Sequence, residues 1–170
     1  KVNKLDARNI TKVKNNDFDQ NHVLISSEEY FIYTPENSKK HSKIDINIRQ
    51  DYLRAASDNR KNTSSLKPDF AELNINEEFL LALTTNGYGK RSSAYEYRIS
   101  NRGGKGITGI LTSEKNGEVL DCFVVNDNDQ VILVTDKGQI IRVNINQIRI
   151  AGRSTRGVSI FKIPESDSIV

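Results

Sequence analysis

The chain has 170 residues, 36% hydrophobic and 28% charged, with three prolines, one cysteine and a formal net charge of +3, the composition of one soluble globular domain with a single core. No run approaches the roughly 20 apolar residues of a membrane span, and the opening KVNKLDARNI holds no apolar segment suited to a signal peptide, so a cytoplasmic location without membrane contact is expected. Cys122 has no partner for an internal disulfide, and His22 and His41 stand in polar surroundings, so neither a metal nor a cofactor is expected.

The first patterned stretch is HVLISSEEYFIYT from His22, which has the form of a two-strand hairpin. Residues 35–75 differ. PENSKKHSKIDINIRQ is polar with one alternating run at Ile44, Ile46 and Ile48, DYLRAASDNR suits two helical turns, and KNTSSLKPD reads as a loop. The stretch is too poor in large apolar residues to form its own core, and it is read as polar loops around a poorly conforming repeat.

Beyond residue 78 the pattern becomes regular. FLLALTTNGYGKRSSAYEYRISNRGGKGITGI (79–110) and QVILVTDKGQIIRVNINQIRIAGRSTRGVSIF (130–161) superimpose without a gap at a constant offset of 51 residues. Leu81 falls on Ile132, Gly87 on Gly138, Arg91 on Arg142, Arg98 on Arg149, Arg102 on Arg153 and Gly106 on Gly157. A period near 50 belongs to propeller blades and related β repeats. Each copy begins with a hairpin, turning at Asn86-Gly87 or Lys137-Gly138. Between the copies, Ile107–Thr112 and Val119–Val125 are expected to form a further strand pair joined at Lys115-Asn116-Gly117, giving roughly four strands per unit. HVLISSEEYFIYT is a weaker third copy at an offset of 108, with Tyr30 where Gly138 stands. The expected fold is all-β and propeller-like, about three four-stranded blades in a partial or open arc. Residues 1–170 make one such domain, with a divergent blade in 1–78 and clear repeats in 79–163.

The positive charge follows the repeats. Residues 1–78 hold 13 basic and 13 acidic side chains, whereas residues 79–163 hold 12 basic and 7 acidic ones. Twice, at one repeat position, arginine is combined with glycine: Arg102-Gly103-Gly104-Lys105-Gly106 and Gly152-Arg153-Ser154-Thr155-Arg156-Gly157. Glycine lets backbone approach another surface, and Arg and Lys form charge-assisted bonds to phosphate oxygens. Each loop follows a hairpin arginine, Arg91 or Arg142, the first preceded by Lys90, and a strand-end arginine, Arg98 or Arg149. If successive blades stack, equal positions share a rim. Lys90, Arg91, Arg98, Arg102, Lys105, Arg142, Arg149, Arg153 and Arg156, with the loop glycines Gly103, Gly104, Gly106, Gly152 and Gly157, are therefore the candidate contacts to the phosphates of bent duplex DNA. Neutralising about six phosphates would give a salt slope near −5. No recognition helix or zinc-finger spacing appears, and Tyr95 and Tyr97 are read as packing residues.

Catalytic readings find little support. GYGKR lacks the spacing of a phosphate-binding P-loop, and Cys122 lies in an apolar strand without a neighbouring histidine, as a buried structural thiol would. The rival to DNA binding is a β-repeat scaffold that binds protein, expected if the repeated arginines pair with carboxylates on neighbouring strands.

NGYGKRSSAYEYR, NRGGKGI, NGEVLDCFVV and DQVILVTDKGQIIRVNINQIRIAGRSTRGV, in that order within residues 79–163, closely resemble the C-terminal domains of bacterial DNA gyrase A subunits. Related domains occur in topoisomerase IV, but the order GYGKR, RGGKG, GRSTRGV looks more like the later gyrase blades. The resemblance implies a β-pinwheel whose basic outer rim wraps duplex DNA in support of ATP-dependent negative supercoiling. It also implies a segment that is not itself catalytic. ATP and Mg would belong to the parent A2B2 complex, formed with the gyrase A N-terminal region and gyrase B, and located with the bacterial nucleoid. Two departures stand out. The family's wrapping box reads like QRRGGKG, whereas here Ser100-Asn101 precedes Arg102–Gly106, and 170 residues hold about three blades where the family disc has six.

Overall fold

The computed structural model describes residues 10–13, 23–24, 30–33, 44–62, 67–98, 106–164 and 166–170. Three antiparallel sheets account for the strands. β1 (Ile10–Val13), β2 (Val23–Leu24) and β3 (Tyr30–Tyr33) form the first, in the order β1-β3-β2. The pairing of Val23 with Tyr33 and Leu24 with Ile32 gives the expected hairpin, and β1 adds a third strand that the sequence reading lacked.

Residues 44–62 overturn the loop reading. Helix α1 runs over Ile46–Asn62, nearly five turns in place of the two expected. Asp45 caps it, its Oδ1 accepting the Asn47 N–H at 2.7 Å. The Ile44/Ile46/Ile48 alternation therefore leads into a helix, in which Ile46 and Ile48 stay exposed. Burial at i, i+4 decides the matter: Tyr52 and Ala56 pack on Tyr95, with Phe70 and Leu73 around them. A 3-10 turn at Pro68–Phe70 and the short α2 (Ala71–Ile75) supply those last two side chains.

The second sheet is built from the first repeat. β4 (Phe79–Thr84) and β5 (Tyr88–Ser93) form a hairpin, β6 (Val119–Val125) pairs with β4, and β9 (Val158–Ser159) pairs with β5, in the order β6-β4-β5-β9. The fourth strand is thus lent by the second repeat. Its approach is close: a Cβ on Gly157, whose φ is 76°, would lie 2.7 Å from the Gly89 carbonyl oxygen, so neither the dihedral nor the space admits a side chain. The predicted strand at 107–112 is absent. Residues 106–112 run without ladder pairing, Leu111 N–H reaching instead to the Thr155 carbonyl at 3.1 Å, and the strand partner of β6 is β4.

β7 (Gln130–Val134) and β8 (Ile140–Asn144) form the third sheet, the hairpin of the second repeat. Both hairpins end in 3-10 turns, Ala94–Glu96 and Ile145–Gln147, 51 residues apart. β4 is buried on both faces. Leu80 and Ala82 join Tyr97, Ile110 and Cys122, while Leu81 and Leu83 join Val131, Leu133, Ile145 and Ile148 of the second repeat. The turn at Ala94–Glu96 breaks strand alternation, so Tyr95 and Tyr97 enter different clusters, one against α1 and one in the core. Burial pushes the Cys122 thiol up to about 12, as an inert structural cysteine requires. The mostly β, open arrangement of sheets is that of a partial propeller.

Candidate nucleic-acid interface

The arginines that repeat at 51 residues divide into two groups. Arg98 follows the first 3-10 turn and Arg149 the second, and both are exposed. Arg153 is half-buried: its backbone N–H donates to Glu96 Oε2 at 2.7 Å and its guanidinium Nη1 to the Thr108 carbonyl at 3.2 Å. These three line a groove of two adjoining parts between α1 and the ends of the two repeats, Arg98 and Arg153 in one and Arg149 in the other. One part, about 570 Å³, is bounded by Arg98, Arg153 and Gly106–Thr108 opposite Arg49 and Gln50 of α1. The adjoining part, about 730 Å³, is bounded by Asn146–Gly152 opposite Arg54, Ser57 and Asp58. Leu53 and Glu96 belong to both.

Lys90 is not on that surface and Arg91, though it borders the part beside Arg149, is buried, so here the expected basic track is corrected. Lys90 is 0% exposed. Its ammonium donates to the carbonyls of Gly152 and Arg153 at 2.6 Å, to that of Thr155 at 3.0 Å and to Thr155 Oγ1 at 3.1 Å. It therefore holds the arginine-glycine loop from beneath, and burial lowers its pKa to about 8. Arg91 is 5% exposed because the second repeat packs over it; Nε donates to the Ile148 carbonyl at 2.8 Å and Nη1 to Asp127. Arg142, the counterpart of Arg91, stands exposed on the outward face of the β7–β8 hairpin across from Ile132, and not in the groove. That face also carries Ile140, 72% exposed.

Around the loop, Arg156 is exposed and its carbonyl accepts from Asn116 Nδ2 at 3.2 Å, so backbone is fixed while the side chain stays free to meet solvent or ligand. Gly152 faces Glu96: a Cβ there would lie 3.6 Å from Oε2. Glu96 is itself raised in pKa, by burial first, against the opposing bond from Arg153. Arg102, Gly103, Gly104 and Lys105 lie outside the described residues. Among the described residues no group of three or more His, Cys, Asp or Glu side chains is placed to hold a metal ion. Chemically, the groove offers guanidinium donors and a half-exposed loop, an arrangement suited to phosphate oxygens. Arg49 and Arg54 were missed by the sequence reading, since they lie outside the repeat and in a stretch read as loop.

Residues 78–126 and 129–170 match the family described as "DNA gyrase C-terminal domain, beta-propeller". The chain is 50% identical over 109 residues to the DNA gyrase A protein of Granulibacter bethesdensis, a match covering 63% of this chain and 12% of that protein. It is 43% identical over 103 residues to the DNA gyrase A protein of Rickettsia conorii, covering 61% of this chain and 11% of that protein. The matched segment thus spans about an eighth of the length of these relatives. A solved gyrase A C-terminal domain superimposes with a TM-score of 0.52 at 28% identity, covering 55% of this chain and 32% of that one.

Proposed function

The chain belongs to the DNA gyrase C-terminal domain family, and from that premise we propose that its groove seats the phosphate backbone of duplex DNA and helps to bend it. The segment is non-catalytic. The single observation that carries the reading is that Arg98 and Arg149, from equivalent places in the two repeats, and Arg153 of the second repeat line two adjoining parts of one surface groove that share Leu53 and Glu96. The first two side chains are exposed, and no ion pair engages any of the three among the described residues. Phosphate contacts of this kind fix affinity and register without reading sequence.

Of the remaining candidates, Arg156 belongs to the same loop, and Arg102 with Lys105 would extend the surface from the equivalent loop of the first repeat. Gly103, Gly104, Gly106 and Gly152 would let those loops approach the DNA backbone, whereas Gly157 serves the close contact with Gly89. Arg142 would act only where DNA reached the outer hairpin. Lys90 and Arg91 serve the scaffold. In the parent enzyme the segment would support ATP-dependent negative supercoiling by a type II topoisomerase. ATP and Mg would be used elsewhere in the complex of gyrase A and gyrase B, in the bacterial cytoplasm on the nucleoid.

Replacing Arg98 and Arg149 by Gln should weaken binding about equally for all duplex sequences and flatten the salt slope by about 2. Fluorescence anisotropy across a salt series measures both. Unchanged affinity, or a loss confined to particular sequences, contradicts the reading.

A further inference from the structure

α1 lies outside the two stretches that match the family, so the repeat does not account for it. Its attachment nevertheless fixes which way it faces. Tyr52 is fully buried, edge-on to Tyr95 at 5.6 Å between ring centroids and to Phe70 at 5.7 Å. Its hydroxyl donates to Glu77 Oε2 at 2.7 Å, and the Arg60 guanidinium donates to the same oxygen at 2.7 Å. Two turns of the helix are thus pinned, and rotation about its axis would break both bonds.

In this setting Arg49 and Arg54 line the groove opposite Arg98 and Arg153 and opposite Arg149, respectively. The carboxylates that face the groove are few. Glu96 already accepts the Arg153 N–H, Asp58 lies on the Arg149 side, and Asp51 approaches Arg54 only to 3.8 Å with both side chains largely exposed. Such an exposed pair holds little energy and yields readily to phosphate.

We propose that α1 is the second wall of a DNA seat, with Arg49 and Arg54 binding phosphate oxygens of the same duplex that Arg98, Arg149 and Arg153 hold. The inference rests on the DNA reading above and adds to it a binding element from outside the repeat. A purely structural helix would need Tyr52, Ala56 and the Arg60 bond to Glu77, but neither Arg49 nor Arg54.

The test uses the full chain, a mixed-sequence duplex and anisotropy between about 50 and 200 mM salt. The Arg49→Gln/Arg54→Gln variant should lose affinity on the order of tenfold and flatten the salt slope by about 2. Arg49→Lys/Arg54→Lys should keep the slope, and circular dichroism should show equal helix content in all three proteins. Binding by the Gln variant equal to the unmodified chain, while Arg98→Gln/Arg149→Gln loses affinity, overturns the inference and leaves the DNA reading standing. Equal loss in the Lys and Gln variants overturns it too, because charge would not then be the cause. No binding by the unmodified chain overturns both.

Discussion

Lys90 and Ile141 occupy the same place in the two repeats, and the exchange shows what that place requires. It faces inward. A lysine there must find acceptors, and Lys90 finds three carbonyls and a hydroxyl. Lys90→Met would keep the bulk but take the ammonium from the Arg153 carbonyl, and one of the donors from those of Gly152 and Thr155, which Thr155 and the Leu111 N–H also serve, at a cost of about 1 to 3 kcal/mol. Urea denaturation should show that loss as a lower midpoint with an unchanged slope. The sequence already held the warning, since a position occupied by isoleucine in one copy is a poor candidate for a surface cation in the other. Arg91 carried no such mark. Arginine recurs at Arg142, and only the packing of the second repeat on the first separates the buried member of the pair from the exposed one. Arg98, Arg149 and Arg153 were legible because each follows a hairpin and its turn at a fixed repeat distance.

Among the elements, the hairpins were readable and α1 was not. β4, β5, β7 and β8 carry their own evidence in alternation and in the turns at Gly87 and Gly138, with φ of 75° and 81°. The helix depends on Tyr95, more than forty residues from Tyr52, and on a Glu77 that ties Tyr52 to Arg60, none of which a local pattern reports. The same distance explains the misplaced strand at 107–112, where Ile107 and Ile110 serve the core as irregular chain while Leu111 stays exposed. Tyr52→Phe keeps the rings in contact and removes one bond to a buried carboxylate, so it should destabilise by about 1 to 2 kcal/mol. Tyr52→Ala should cost about 3 kcal/mol or more by leaving a cavity between α1 and the sheet. Thermal unfolding followed by circular dichroism separates the two.

For the molecule as a whole, the C-terminal residues close the second repeat. Ile169 enters the core, Val170 N–H donates to the Val134 carbonyl at 2.9 Å, and Asp167 pairs with Lys137. The Lys137 bond holds the Asp167 carboxyl below the usual carboxylate range, against a smaller opposing effect of burial. Because the folded value lies below the unfolded one, near 3.9, this pair stabilises fully above that value. The contribution fades as the pH falls through the depressed folded value. The melting temperature of Asp167→Asn should therefore lie below that of the unmodified chain at pH near 6 and converge with it on acidification. A constant gap across that range would contradict the assignment.

β9 belongs by sequence to one repeat and by hydrogen bonding to the other, and Arg91 reaches back across the same junction to Ile148 and Asp127. The polypeptide link through the exposed turn at 126–128 is thus not what joins the halves. A protease that nicks this turn would release no fragment: the severed pieces stay interlocked through a shared sheet and a buried guanidinium, and they part only when both lose their structure.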